Sequence, residues 1–236
     1  MLTKGINDGA AFTGTAGNDT FKANYDAEGA AAHTLGALDV LDGGDGTDTL
    51  AITDDTSATF NLAAATISNI ETMTVRAAGD VVADVSGSNV TGLNTVNVTQ
   101  AGGDATVTAS ATQDVNVSGV VHADADISVI GGKTVTINHK LDQDADSIST
   151  VGAVNVVITA TDVETATIVA GTVGATTENT GTVTITSTGE AIDAATDTDV
   201  MASITVAGGT TISVTQSATS NMGTVATDTS RHLKTS

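Results

Sequence analysis

Asp114-Val115-Asn116-Val117, Asp126-Ile127-Ser128-Val129 and Thr134-Val135-Thr136-Ile137 follow one another closely, and each is apolar at every second position. That is the period of a strand with one buried face. Working outward, the same cadence returns at Glu71-Thr72-Met73-Thr74-Val75, Leu93-Asn94-Thr95-Val96-Asn97-Val98, Ala153-Val154-Asn155-Val156 and Thr165-Ala166-Thr167-Ile168. It continues at Thr182-Val183-Thr184-Ile185, Ser203-Ile204-Thr205-Val206 and Thr211-Ile212-Ser213-Val214. Gly, Asp, Ser and Asn separate the runs, so the chain reads as a degenerate repeat of short strands and turns. Two all-β architectures fit: a β-solenoid of parallel coils (β-helix or β-roll-like), or antiparallel β-sandwiches. Short strands, small core residues and Thr/Asn/Ser positions able to stack in ladders favour the solenoid. A sandwich would call for more aromatics and two-residue hairpin turns. Helical turns are expected only at Ala30-Ala31-Ala32, Leu62-Ala63-Ala64-Ala65 and, more weakly, Asp193-Ala194-Ala195.

Composition agrees with β-structure. Aromatics are 2% of the chain and Pro and Cys are absent, so Val, Ile, Thr, Ala and Gly must build the core. With 40% hydrophobic residues the chain is expected to fold despite a net charge of −21. That charge repels nucleic acid and anionic lipid and attracts cations, calcium first among them. Without Cys there is no disulfide framework, thiolate metal site or Cys nucleophile. No run of 18 apolar residues suggests a membrane span, and Met1-Leu2-Thr3-Lys4 opens no apolar signal core, so any export signal is expected elsewhere or of another type.

Gly43-Gly44-Asp45-Gly46-Thr47-Asp48-Thr49-Leu50-Ala51 matches the calcium-binding nonapeptide G-G-x-G-x-D-x-U-x at every specified position. The first six residues would turn their carbonyls and an aspartate toward one ion, while Leu50 starts a strand. Gly14-Thr15-Ala16-Gly17-Asn18-Asp19-Thr20-Phe21-Lys22 is a second copy with Thr15 in place of the second Gly. One such turn supplies half a cage, and these two are spaced to supply both halves. Asp19 and Asp48 are the expected side-chain ligands, with Asp45, Asn18 and Asp42 as weaker candidates and Gly14, Gly17, Gly43 and Gly46 shaping the turns. Solvated surface turns are the plain alternative.

Leu2-Thr3-Lys4-Gly5, the segment from Phe12 to Phe21, that from Asp42 to Leu50, and Ile67-Ser68-Asn69-Ile70-Glu71-Thr72-Met73-Thr74-Val75 together resemble the opening of the lattice-forming region of Caulobacter-type bacterial surface-layer proteins and related repeat-rich adhesins. The match in order and spacing covers about residues 1–75. The resemblance implies a solenoid, calcium-dependent assembly into a two-dimensional array, and type I secretion to the cell surface. The chain is short for that family and ends without the strand cadence, and no anchoring domain is expected within these residues. The expected division is a calcium-loop module over 1–55, a strand-repeat solenoid over 56–229 and an irregular tail over 230–236.

The remaining chemistry is sparse. Asp54-Asp55, Asp124/Asp126, Asp142/Asp144/Asp146 and Asp197/Asp199 are acidic groupings expected in loops; the 142–146 run has ligand-like spacing but lacks the Gly and distal Glu of an EF-hand. His33, His122, His139 and His232 show no zinc spacing and are expected at the surface. A carboxylate-pair glycosidase would want aromatic platforms, and the chain has no Trp and one Tyr. The expectation is therefore a calcium-binding surface-layer protein that assembles with itself and is not an enzyme. A calcium-stiffened adhesin that binds a glycan, ice or another cell is the alternative, with cell-surface polysaccharide as a further candidate partner.

Overall fold

The computed structural model describes residues 1–25, 33–121, 125–141, 146–163, 166–172, 178–189 and 202–218. Among the described residues, eighteen short strands carry the chain forward. The first six are β1 (Thr20–Tyr25), β2 (Val40–Asp42), β3 (Thr49–Asp54), β4 (Phe60–Asn61), β5 (Thr66–Ser68) and β6 (Thr72–Ala77). Then come β7 (Val81–Asp84), β8 (Thr95–Gln100), β9 (Ala105–Ala109), β10 (Asp114–Val117), β11 (Asp126–Gly131) and β12 (Thr134–Lys140). The last are β13 (Ser147–Val151), β14 (Asn155–Val163), β15 (Thr167–Ala170), β16 (Thr182–Gly189), β17 (Ser203–Val206) and β18 (Thr211–Ser217).

Every strand pair among the described residues is parallel. The even strands from β6 onward, with β1 and β3, form a nine-stranded sheet, and a seven-stranded sheet runs from β4 to β17. β2 and β5 start a third face, which isolated bridges extend. Parallel pairing needs a crossover between partners, and here the other faces of each coil supply it. The fold is the expected parallel β-solenoid, and the uniformly parallel pairing excludes the sandwich.

Register explains why alternation was readable. Leu50, Met73, Val96, Val115, Val135, Val156 and Val183 form one inward column in successive pairs, all buried. Phe60, Val81, Ala105, Ile127, Ile148 and Ile168 form a column in the other large sheet. Each fully buried β-branched or Leu side chain contributes about 1.5–3 kcal/mol. Coil length varies: contacts between successive coils span 29 and 23 residues near the start, 19 in the middle and 29 again near the end.

Two expectations fail. Leu62-Ala63-Ala64-Ala65 forms no helical turn; Ala65 is fully buried in the core, so tertiary packing overrides alanine's helix propensity. Among the described residues the helical element is a 3-10 turn, Gly9–Phe12. His139 is buried at 6% exposure, not at the surface, because it falls on the inward face of β12. The other proposed helical turns, at 30–32 and 193–195, lie outside the described residues, as do His122, His232 and the tail.

The start of the solenoid is closed. The Leu2 N–H donates to the Lys22 carbonyl at 2.9 Å, laying the N-terminal segment on β1. Behind it the buried Asn7 amide donates to the Thr34 carbonyl and the Asp39 carboxylate at 2.9 and 3.0 Å. Tyr25 packs edge-to-face on Phe60 and donates its hydroxyl to the Leu35 carbonyl at 3.1 Å. Burial pushes the Tyr25 pKa up to about 12, a backbone hydrogen bond at Ala63 opposing and the Asp54 and Asp39 charges adding to the rise.

Candidate functional site

The two glycine loops, 14–19 and 43–48, are neighbours in space because β1 and β3 pair with Thr20 opposite Thr49. Their contact is very close. A Cβ placed on Gly43 would fall 1.7 Å from the Asn69 carbonyl oxygen and 2.5 Å from Asp48 Oδ2. One on Gly14 would fall 1.8 Å from the Gly43 carbonyl oxygen. Glycine is therefore required by coil-on-coil packing here, before any ligand is considered.

Asp19 and Asp48 each stand one residue before a strand, and Glu71 continues their column. The links are backbone bonds from Thr49 N–H to the Asp19 carbonyl and from Thr72 N–H to the Asp48 carbonyl, at 2.9 and 3.0 Å. Each carboxylate leans toward the preceding coil: Asp48 Oδ1 accepts the Asp19 N–H and Glu71 Oε2 the Asp48 N–H, both at 2.7 Å. Glu71 was not among the expected site residues. Its signal was its place directly before β6, which becomes legible only once the coils are in register.

The second carboxylate oxygens differ. Asp19 Oδ2 accepts from Thr15 N–H at 2.6 Å and from the Thr15 hydroxyl at 2.8 Å. In the second loop Gly44 takes that place with φ +87°, and its N–H donates instead to Asp42 Oδ1 at 3.1 Å. Asp48 is fully buried, and its Oδ2 has no hydrogen-bond donor. A buried carboxylate oxygen without a partner costs about 1–3 kcal/mol or more.

The weaker candidates are committed elsewhere or exposed. Asn18 Oδ1 accepts the Thr47 N–H at 2.9 Å, tying the loops together. Asp42 Oδ1 also receives the Asn69 amide at 2.8 Å. Asp45 and Gly17 are exposed, and Gly46 lies over the Gly17 carbonyl.

Among the described residues no three His, Cys, Asp or Glu side chains converge as a metal-binding group. A cation at this corner would thus draw on two carboxylates at most and take its remaining oxygens from loop carbonyls. Calcium accepts such a mixed set of 6–8 oxygens. The orphaned Asp48 Oδ2, in a space that only glycine leaves open, fits that requirement.

A second acidic edge precedes the other large sheet. Asp80 Oδ1 accepts the Asp104 N–H at 3.1 Å, and Asp104 Oδ1 the Asp126 N–H at 2.9 Å. Asp104 and Asp126 are exposed. Of the 142–146 run only Asp146 is described; it is buried at 1% exposure rather than solvated. Asp124, Asp197 and Asp199 lie outside the described residues.

A scan against protein-family models and a search of curated proteins each returned no match. No helix among the described residues is long and apolar enough to cross a membrane.

Proposed function

We propose that this chain is a non-catalytic structural protein of the bacterial cell surface, a solenoid that calcium locks at its N-terminal corner and that assembles with copies of itself. The observation that carries the cation reading is the buried Asp48 Oδ2 without a donor, set between stacked glycine loops. Calcium there supplies charge compensation, and the loops supply position. Asp48 holds the ion, Asp19 is its neighbour across the coil boundary, and Glu71 fixes the Asp48 backbone. Without a cation, the net charge of −21 works against growth into an array of many copies. The surface location rests on the family resemblance of residues 1–75.

One observation favours the adhesin alternative. The outer face of β12, β14, β16 and β18 presents Thr134, Thr136, Asn155, Thr182, Thr184, Thr211 and Ser213 around an exposed Val157, an uncharged array suited to a neutral glycan or ice. Light scattering and negative-stain microscopy, with calcium raised from chelated to millimolar, separate the two readings. Sheets or filaments that EDTA dissolves are expected. Particles of unchanged size with higher thermal stability would favour the adhesin, and no response to calcium would overturn the cation reading.

A further inference from the structure

We infer that the C-terminal end of the solenoid is an interface for a second copy of this chain, which pairs edge to edge through β18 about a two-fold axis. The inference goes beyond the cation reading and does not depend on it.

The two ends of the coil stack are unlike. The first is closed by Leu2 on β1 and by the Asn7–Asp39 network. At the other, β18 pairs with β16 on one side and with no described strand on the other. Ile212 continues the buried column through Val183 yet is 52% exposed, and Val214 continues the column of Ile185 and is only partly buried. Beside them Ile204 and Val206 of β17 are also partly buried.

Edge strands normally escape pairing through charge, proline or bulges. Thr-Ile-Ser-Val-Thr-Gln-Ser has no charge and no proline, and its pairing with β16 is unbroken from Thr182/Thr211 to Thr188/Ser217. β17, Ser-Ile-Thr-Val, is uncharged too. In a chain of net charge −21, with acidic corners at Asp19, Asp48 and Glu71 and at Asp80, Asp104 and Asp126, the strands β17 and β18 themselves bring no charge to a second molecule.

The closed first end sets the symmetry. A head-to-tail contact would need β1's edge, where Leu2 already sits. The open ends instead meet each other, β18 against β18 antiparallel, and that isologous contact stops at two chains.

Size-exclusion chromatography with light scattering on the full chain in EDTA tests this. The expected mass is twice the 23.1 kDa of one chain. The pair S213K/T215K, on exposed outward positions of β18, is expected to halve it, while T184K/T186K on β16, one coil inward, leaves it unchanged; circular dichroism checks that both keep the β-fold. A wild-type mass of 23.1 kDa at every concentration would overturn the proposal, whether residues 219–236 cover the edge or nothing does. So would an open series of larger species in EDTA, or a dimer that survives S213K/T215K. Because the assay contains chelator, failure of calcium binding leaves its result intact.

Discussion

The loops 14–19 and 43–48 have equal length and stack in register, yet their aspartates differ in one atom's surroundings. In the first, Thr15 gives Asp19 Oδ2 two donors; in the second, Gly44 turns its N–H to Asp42 and leaves Asp48 Oδ2 with none. The copy that departs from the nonapeptide is satisfied by its own chain. The copy that matches it is the one left wanting a partner. The second glycine of the motif is thus more than a flexible joint, since by withholding a side-chain donor it keeps a carboxylate oxygen available.

The comparison can be broken most forcefully at the glycines. G43A, whose Cβ meets backbone 1.7 Å away, is expected to cost about 3 kcal/mol by denaturant unfolding. G17A, with its nearest atom the Thr15 hydroxyl at 3.7 Å, should stay within about 0.5 kcal/mol. Equal costs would mean that the close coil contact at Gly43 is absent.

T15G sharpens the same contrast by giving the first loop the second loop's residue. In EDTA it should lose about 1.5 kcal/mol, because the hydroxyl's hydrogen bond to the Asp19 carboxylate disappears while the backbone N–H of residue 15 stays. Calcium should restore much of that loss. A T15G chain equally weakened with and without calcium would show that an aspartate stripped of its side-chain donor here does not recruit a cation.

A second orphan provides a control. Thr150 is fully buried within the column of Val129 and Ala170, and its hydroxyl has no partner. T150V should stabilise the protein by about 1 kcal/mol in EDTA and calcium alike, as expected for a defect with no ligand to serve.

The smallest effect involves Tyr25. Its folded pKa of about 12 lies above the model-peptide value of 10.0, so the neutral form is favoured by folding. Its contribution is complete below pH 10 and should fall away as pH rises from 10 to about 12, whereas Y25F should lack that component of the alkaline decline in thermal scans.

How much of this was legible follows from particular residues. Val115, Val117, Val135 and Ile137 alternate with polar neighbours, so β10 and β12 could be read directly. β9, Ala-Thr-Val-Thr-Ala, has small residues at its buried ends and gave too weak a contrast, while β4 is too short for any period. The coil length was hidden because corner loops lengthen and shorten it. The paired glycine loops were readable from local spacing, but Glu71's position beneath Asp48 depends on a register 23 residues away. The unequal state of Asp19 and Asp48 depends on where one backbone N–H points, which no spacing encodes.

The most direct test is thermal unfolding of wild type and D48N, each in EDTA and in saturating calcium. D48N keeps an acceptor for the Asp19 N–H and removes the buried unpaired charge, so in chelator it should equal or exceed wild type, by up to about 1–3 kcal/mol. At about 100-fold excess over Kd, calcium should stabilise wild type by about 2.7 kcal/mol and leave D48N unmoved, reversing their order. A D48N difference of the same sign and size in both conditions would contradict the account, and Asp48 would then be a structural corner residue alone.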